Sequence, residues 1–320
     1  MTSPWTGRSD QEKKPELTRR WHQNIQNYQE KNRGPGVALL GLACDEGVKR
    51  NHGRVGAADG PWYIRKAMAN LPWHRQDPAY DAGDIQCHNG NLEAAHQAFS
   101  EQVTALLDKQ LIPVGLGGGN DISWGSYLGL INYLLERSPA DKKPKVGIIN
   151  FDAHFDLRLP ENGPSSGTPF WQMAQFNAEK GIPFHYLCLG ISASSNTRAL
   201  FHRARELSVT YRMDTQFNLL NLESLKTDIR RFIIDKDHIY LTIDLDVFPA
   251  SLAPGVSAPA VRGTPLEVVE PLLNIIIESG KVRLFDLAEL NPKYDIDHRT
   301  ARLAARLIHL LTTQDTTDVY

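Results

Sequence analysis

Cysteine is scarce in this chain. Its three residues, Cys44, Cys87 and Cys188, are an odd number at wide spacing, which argues against a disulfide framework. Each is expected in or near the core as a small apolar side chain. Long hydrophobic runs are missing too: the longest, such as 37–43 and 146–151, are far too short to span a bilayer. The first thirty residues are polar and charged and hold no apolar stretch of the signal-peptide kind, so a cytoplasmic protein is expected. Charge of one sign is lacking: a net −2 over 320 residues offers no attraction to nucleic acid or to a membrane surface. The run of glycines at 117–119 has neither the Gly-Lys-Ser/Thr ending of a phosphate loop nor the spacing of a dinucleotide fingerprint, which excludes both. No serine or cysteine stands in a nucleophile triad, and no internal repeat, low-complexity block or linker interrupts the chain.

What is there is ordinary globular material, 41% apolar and 22% charged, ample for a core. The segment 1–34 is rich in Gln, Asn and charge and reads as a polar N-terminal arm or helix, leaving 35–320 as one domain. Within that domain short apolar runs predict strands at 37–43, 112–116, 146–151, 185–190, 208–212, 239–245 and 282–287. Several are continuously apolar rather than alternating, as strands buried on both faces of a parallel sheet are. Between them the pattern predicts helices at 61–69, 92–107, 124–135, 222–234, 265–278 and 300–311, with Pro61 and Pro265 as first-turn prolines. Alternating strands and helices over the whole length imply a single doubly wound α/β domain, its sheet mainly parallel with helices on both faces.

In such sheets ligands bind beyond the C-terminal ends of the strands, and the polar residues gather there. Asp152, His154 and Asp156 alternate directly after one buried strand, and Asp244 and Asp246 after another. In extended chain, alternate residues project to one side, so each segment aims its side chains at one point. Four carboxylates and an imidazole meeting there cannot all stay ionised without compensating positive charge. A pair of divalent cations supplies it. Oxygen donors with one imidazole and no thiolate suit manganese better than zinc or copper, with magnesium a poorer partner for His154. The glycines at 117–119 allow close backbone approach and leave Asn120 pointing into the site.

Taken together, Gly-Gly-Gly-Asn-Asp at 117–121, Asp-Ala-His-Phe-Asp at 152–156, Ser-Gly-Thr-Pro at 166–169, Asp-Leu-Asp at 244–246, Ala-Pro-Gly at 253–255 and Glu-Leu-Asn-Pro at 289–292 resemble the ureohydrolase (arginase/agmatinase) superfamily. Order and spacing agree from about residue 36 to about 310. The stretches 45–61 and 165–170 look most like its formimidoylglutamase branch. The resemblance implies two Mn2+ ions per subunit, bridged by Asp152 and Asp244, with Asp156 and Asn120 completing one ion's ligands and His154 and Asp246 the other's. Histidine is usual where this chain has Asn120, so the first ion is expected to bind weakly; Asp121 is a fallback ligand.

The same resemblance implies hydrolysis of N-formimidoyl-L-glutamate to L-glutamate and formamide, a step of histidine degradation. Asp156 is the expected proton shuttle, and Glu289 the carboxylate that meets the cationic amidine. Arg158, two residues beyond Asp156, either clamps a substrate carboxylate or pairs with a metal-ligand aspartate. Ser166 is expected to donate to the same carboxylate, Ser195 and Asn196 to meet the α-amino end of the ligand, and Arg54 to act as a structural clamp. The partner implied is a small amidine, and a homo-oligomer is left open. Two rivals remain: the same chemistry on agmatine, arginine or another guanidino compound, and a metal-depleted binding or regulatory protein. The loop 190–196 has no carboxylate to greet a basic tail, which favours the glutamyl ligand.

Overall fold

The computed structural model describes residues 3–139, 142–161 and 163–313; the last residues of the expected domain, 314–320, lie outside them. Among the described residues nine strands are formed: β1 Gln26–Asn27, β2 Val37–Ala43, β3 Ala79–Gln86, β4 Ile112–Gly117, β5 Val146–Phe151, β6 His185–Ile191, β7 Thr210–Met213, β8 His238–Asp244 and β9 Val282–Ala288. They make one sheet in the order β1-β3-β2-β4-β9-β8-β5-β6-β7. Every pairing is parallel. The expected α/β architecture is therefore present, with a sheet parallel throughout its described strands.

The physical cause is visible strand by strand. All six residues of β5 are buried, and six of the seven in β8, as continuous apolar runs in a sheet covered on both faces should be. Alternate residues feed two cores. Val114, Leu116, Ile149, Phe151, Leu241 and Ile243 pack on one face; Ile148, Tyr186, Tyr240 and Leu284 pack on the other. Helices Leu92–Asp108 and Ile122–Arg137 cover the second face through Leu92, Phe99, Ile122 and Leu130. Asn91 caps the first of these by accepting a hydrogen bond from the Ala94 amide.

The apolar runs locate seven strands. β3 escapes that reading because its sequence, Ala-Tyr-Asp-Ala-Gly-Asp-Ile-Gln, is polar and half-exposed towards the sheet edge. Helices Glu46–Arg50, Pro169–Lys180 and Arg198–Glu206 also lie in stretches without an obvious apolar period. Pro61 sits in the first turn of Gly60–Met68 as expected. Pro265 instead holds the N-cap position of Leu266–Glu278, a one-residue shift of the helix start. Cys44 and Cys188 are buried, Cys87 is half-buried, and all three are free. No helix among the described residues is long and apolar enough to cross a membrane.

Most of the segment before residue 35 is exposed, yet it is tied to the body at three places. β1 pairs with β3, the Trp5 indole donates to Asp81 at 2.6 Å, and Trp21 is fully buried against the edge of Trp73 at 5.1 Å. Trp21→Ala is expected to destabilise the protein by about 3–5 kcal/mol, the usual cost of truncating a buried aromatic. Urea unfolding of the two proteins measures it; an unchanged midpoint would mean that the segment is not part of the cooperative fold.

Candidate metal centre

Four adjacent strands deliver the site. β4, β9, β8 and β5 are neighbours in the sheet, although among the four they come first, fourth, third and second along the chain. With strands ~4.8 Å apart, the residues just beyond their C-terminal ends are brought within side-chain reach. Asn120 follows β4, Glu289 follows β9, Asp244 ends β8 with Asp246 beyond it, and Asp152, His154 and Asp156 follow β5. Two of these residues have left-handed backbone, Asp156 at φ 46° and Glu289 at φ 73°. Such strain in non-glycine residues persists where the surroundings over-determine it, and it collects at functional sites.

Ligand atoms of Asp152, His154 and Asp246 lie within 4.8 Å of one another, and so do those of Asp152, Asp156 and Asp244. Asp152 belongs to both groups, as a bridging ligand must; Asp244 belongs to one. His154 Nδ1 is 3.0 Å from Asp246 and 3.5 Å from Asp152. Glu289 Oε1 accepts from the Asn120 backbone amide at 2.9 Å, while its Oε2 is buried with no hydrogen-bond partner among the described residues. Carboxylate oxygens dominate, one imidazole joins them, and one buried oxygen is left without a donor: this set fits hard divalent cations.

Asn120 departs from expectation. Its amide nitrogen donates to Asp156 at 2.7 Å and to Asp152 at 3.1 Å, while its oxygen accepts from Ser123 at 3.2 Å. The end of the amide facing the carboxylates is therefore a donor, because two anions attract N–H and repel C=O. Asp121 turns away from the cluster to His96, 2.9 Å distant and buried, and is no substitute ligand. Asn196 is also corrected. Its nitrogen donates to the Ala153 and Ser192 carbonyls and its oxygen accepts from the Phe155 amide, so it fixes the loop carrying His154 rather than facing a ligand. Ser195 lies half-buried on the turn before it.

Arg158 is exposed, and its guanidinium makes no hydrogen bond or ion pair among the described residues; the pairing with a ligand aspartate is not formed. Its backbone amide donates to the Gly167 carbonyl at 2.9 Å, and a Cβ on Gly167 would lie 2.8 Å from Arg158 Cδ, so the arginine stem lies along the Ser-Ser-Gly-Thr loop. Ser166 in that loop accepts from Asn51 at 3.2 Å and keeps its own hydrogen to give. Arg50 anchors the loop by donating to the Pro164 carbonyl and pairing with Glu93. Arg54 clamps the backbone of Val256 and Ser257 and stacks over Tyr294 at 4.1 Å. Asn150, whose nitrogen donates to Asp152 at 3.0 Å, was missed by sequence reasoning; it stands on the same side of β5 as Asp152, two residues earlier, which is the signal that could have found it.

The electrostatics follow from crowding. Burial, then repulsion from Asp246, raises the Asp152 pKa to about 6. Burial raises Asp156 and Asp244 well above the usual carboxylate range, and it pushes Glu289 up to about 8. Burial opposes charge on His154 as well, but Asp246 and Asp152 outweigh it and raise its pKa well above 6.5. All these folded values lie above the unfolded ones, so between about pH 4 and 8 these groups hold more protons in the folded chain than in the unfolded one, and their contribution to stability falls as pH rises. In chelator, the melting temperature should fall from pH 5 to pH 8, and Mn2+ should restore it at pH 8 because the ion takes the deprotonated ligands. A chelated protein that melts higher at pH 8 than at pH 5 would contradict this account.

A family model described as the arginase family matches residues 35–313. The formimidoylglutamase of Aeromonas hydrophila is 51% identical over 97% of this chain and 96% of its own length. Among solved structures, the formimidoylglutamase of Bacillus subtilis superposes with a TM-score of 0.78 at 25% identity, covering 91% of this chain and 90% of its own. A Trypanosoma cruzi formiminoglutamase with Mn2+ gives 0.74 at 26% identity, over 87% of this chain and 92% of its own. With a match over almost its whole length and four neighbouring strands converging on one carboxylate cluster, the chain belongs to the arginase family.

Proposed function

We propose that this protein hydrolyses N-formimidoyl-L-glutamate to L-glutamate and formamide with two manganese ions, as a step of histidine degradation. The observation that carries the substrate assignment is Arg158: an exposed, unpaired guanidinium on the rim of the carboxylate cluster, laid along the loop that presents the Ser166 hydroxyl. A planar fork of donors beside a hydroxyl suits a carboxylate, and formimidoylglutamate carries two. The name of the A. hydrophila relative, half identical over nearly its full length, supports the same substrate. The manganese named with the T. cruzi neighbour supports the metal.

Asp152, Asp156, Asp244, Asp246 and His154 would hold the ions, with Asn120 as a further ligand. Bound there, the pair supplies a hydroxide nucleophile near neutral pH. The residues do the rest. Glu289 Oε2, buried and without a donor, accepts a hydrogen bond from the cationic amidine and sets its trigonal carbon over the cluster. Arg158 and Ser166 hold a carboxylate of the glutamyl part and so fix the reach from rim to cluster. Asp156 passes a proton to the nitrogen that leaves with glutamate as the C–N bond breaks. The other carbon–nitrogen fragment departs as formamide.

Three measurements bear on this reading. With Mn2+ present, the purified protein should release formamide from formimidoylglutamate faster than urea from agmatine or arginine; the reverse order would remove the substrate assignment and leave only an amidine or guanidine hydrolase. Arg158→Ala should lower kcat/KM for formimidoylglutamate roughly 10- to 150-fold, the loss of one charge-assisted contact of ~1.5–3 kcal/mol, with manganese content unchanged. Asp244→Ala should abolish turnover and lower the bound manganese; full activity after exhaustive chelation would end the two-metal account.

A further inference from the structure

Asn51 stands on the rim and has no part in the reaction described above. It ends the helix Glu46–Arg50, and its backbone amide donates to the Gly47 carbonyl at 3.0 Å. The same carbonyl accepts from the Ser166 amide, also at 3.0 Å, so helix and loop share one acceptor. The rest of the loop is held as firmly. Arg50 donates to the Pro164 carbonyl at 3.3 Å, the Ser165 amide donates to Thr168 Oγ1 at 2.9 Å, and the Gly167 carbonyl accepts from the Arg158 amide. With its backbone tied on both sides, Ser166 has only its side-chain torsion and its hydroxyl rotor left to set.

Asn51 sets both. Its amide nitrogen donates to Ser166 Oγ at 3.2 Å. A serine hydroxyl carries one hydrogen and two lone pairs. With an N–H seated on one lone pair, the O–H bond turns away from Asn51, because hydrogens that face one another repel. Ser166 is 7% exposed, enough for a ligand to reach, and its hydrogen goes to no acceptor among the described residues. Gly167 brings the arginine to the same place. A Cβ there would lie 2.8 Å from Arg158 Cδ, and 3.0 and 3.1 Å from the oxygen and nitrogen of the Asn51 amide. The space left by the missing side chain is where the Asn51 amide and the Arg158 stem meet, beside Ser166.

We propose that Asn51 is a positioning residue of the glutamyl subsite: it fills the acceptor side of Ser166 and so turns that hydroxyl's hydrogen towards the carboxylate that Arg158 meets. The inference rests on the roles given to Arg158 and Ser166 above, and adds what makes a hydroxyl selective there. A free serine donates and accepts equally well, and would greet an ammonium as readily as an anion. With Asn51 on one lone pair it serves mainly as a donor, beside a guanidinium that has no acceptor at all. A carboxylate tail meets two aimed donors; the cationic tail of a guanidino compound meets a like charge and a donated hydrogen.

Asn51→Leu keeps the side chain's reach and removes the donor. With Mn2+ supplied, it should raise KM for formimidoylglutamate ~3- to 15-fold, the range for one hydrogen bond lost, and leave kcat within about twofold. L-Glutamate, the product that keeps both carboxylates, should bind the variant more weakly by the same factor in calorimetric titration, a readout that needs no turnover. N-Butylformamidine has the amidine but no carboxylate, so its kcat/KM should differ by less than about twofold between variant and wild type. In a Ser166→Ala background Asn51→Leu should cost no more than roughly twofold on formimidoylglutamate. Equal losses in the two backgrounds would mean that Asn51 meets the ligand itself, and equal losses on the two substrates that it only braces the fold; either overturns the proposal, as does wild-type KM in Asn51→Leu. Should Asn51→Leu fail to fold by thermal melt, Asn51→Ala makes the same comparisons. If Arg158→Ala and Ser166→Ala also bind L-glutamate as the wild type does, the carboxylate reading of the rim fails, and this proposal with it.

Discussion

Crowding five carboxylates at one end of a sheet is the constraint to which the rest of the structure answers. Asp152, Asp244, Asp246 and Glu289 are buried and Asp156 half-buried, and like charges so close repel one another. What holds them together is a set of fixed donors: the His154 ring, the Asn120 amide, the Asn150 amide and the backbone N–H groups of Asn120, His154 and Asp246. The helix Ile122–Arg137 starts just after Asn120 and turns its positive end the same way. These donors are aimed by backbone and by neighbouring strands, so they keep their direction without large reorganisation. Preorganised donors of this kind are what an acid-rich site needs to receive cations and to steady charge that develops in a reaction.

Rigidity around the cluster comes from side chains that face backbone rather than substrate. Asn196 holds the loop after β5, Arg54 holds the loop at 256–257, and Arg50 holds Pro164 before the Ser-Ser-Gly-Thr loop. Each ties together segments distant in sequence. Arg158 differs from them in kind: only its stem is packed, and its charged head is free.

Much of this was legible in the chain. Continuous apolar runs locate the buried strands because a strand covered on both faces has no polar side to betray a period. Alternating Asp152, His154 and Asp156 share one side because extended chain alternates. Those local rules also account for the failures. β3 lies near the sheet's edge and carries no apolar run, so nothing in its composition distinguishes it from a loop. Asn196 is a polar residue in a loop near a site, which fits a ligand contact as well as a clamp; only the partners of its donor decide between the two.

The sequence by itself determined the kind of site: which donors exist, that they are oxygen-rich, and that each set follows a buried strand, since these depend on residue type and on the two-residue period of extended chain. Only the tertiary structure decided how they meet. β9 and β8 insert between β4 and β5, an order fixed by long-range packing and crossover connections, and this is what makes one centre of four separate segments. The same register brings Asp286, Thr242 and Asn150 into one row, and Asp152 and Asp156 beyond β5 take the Asn120 amide hydrogens. A hydrogen bond's direction depends on the partner at its far end, and that partner lies in another strand, beyond the reach of any local pattern.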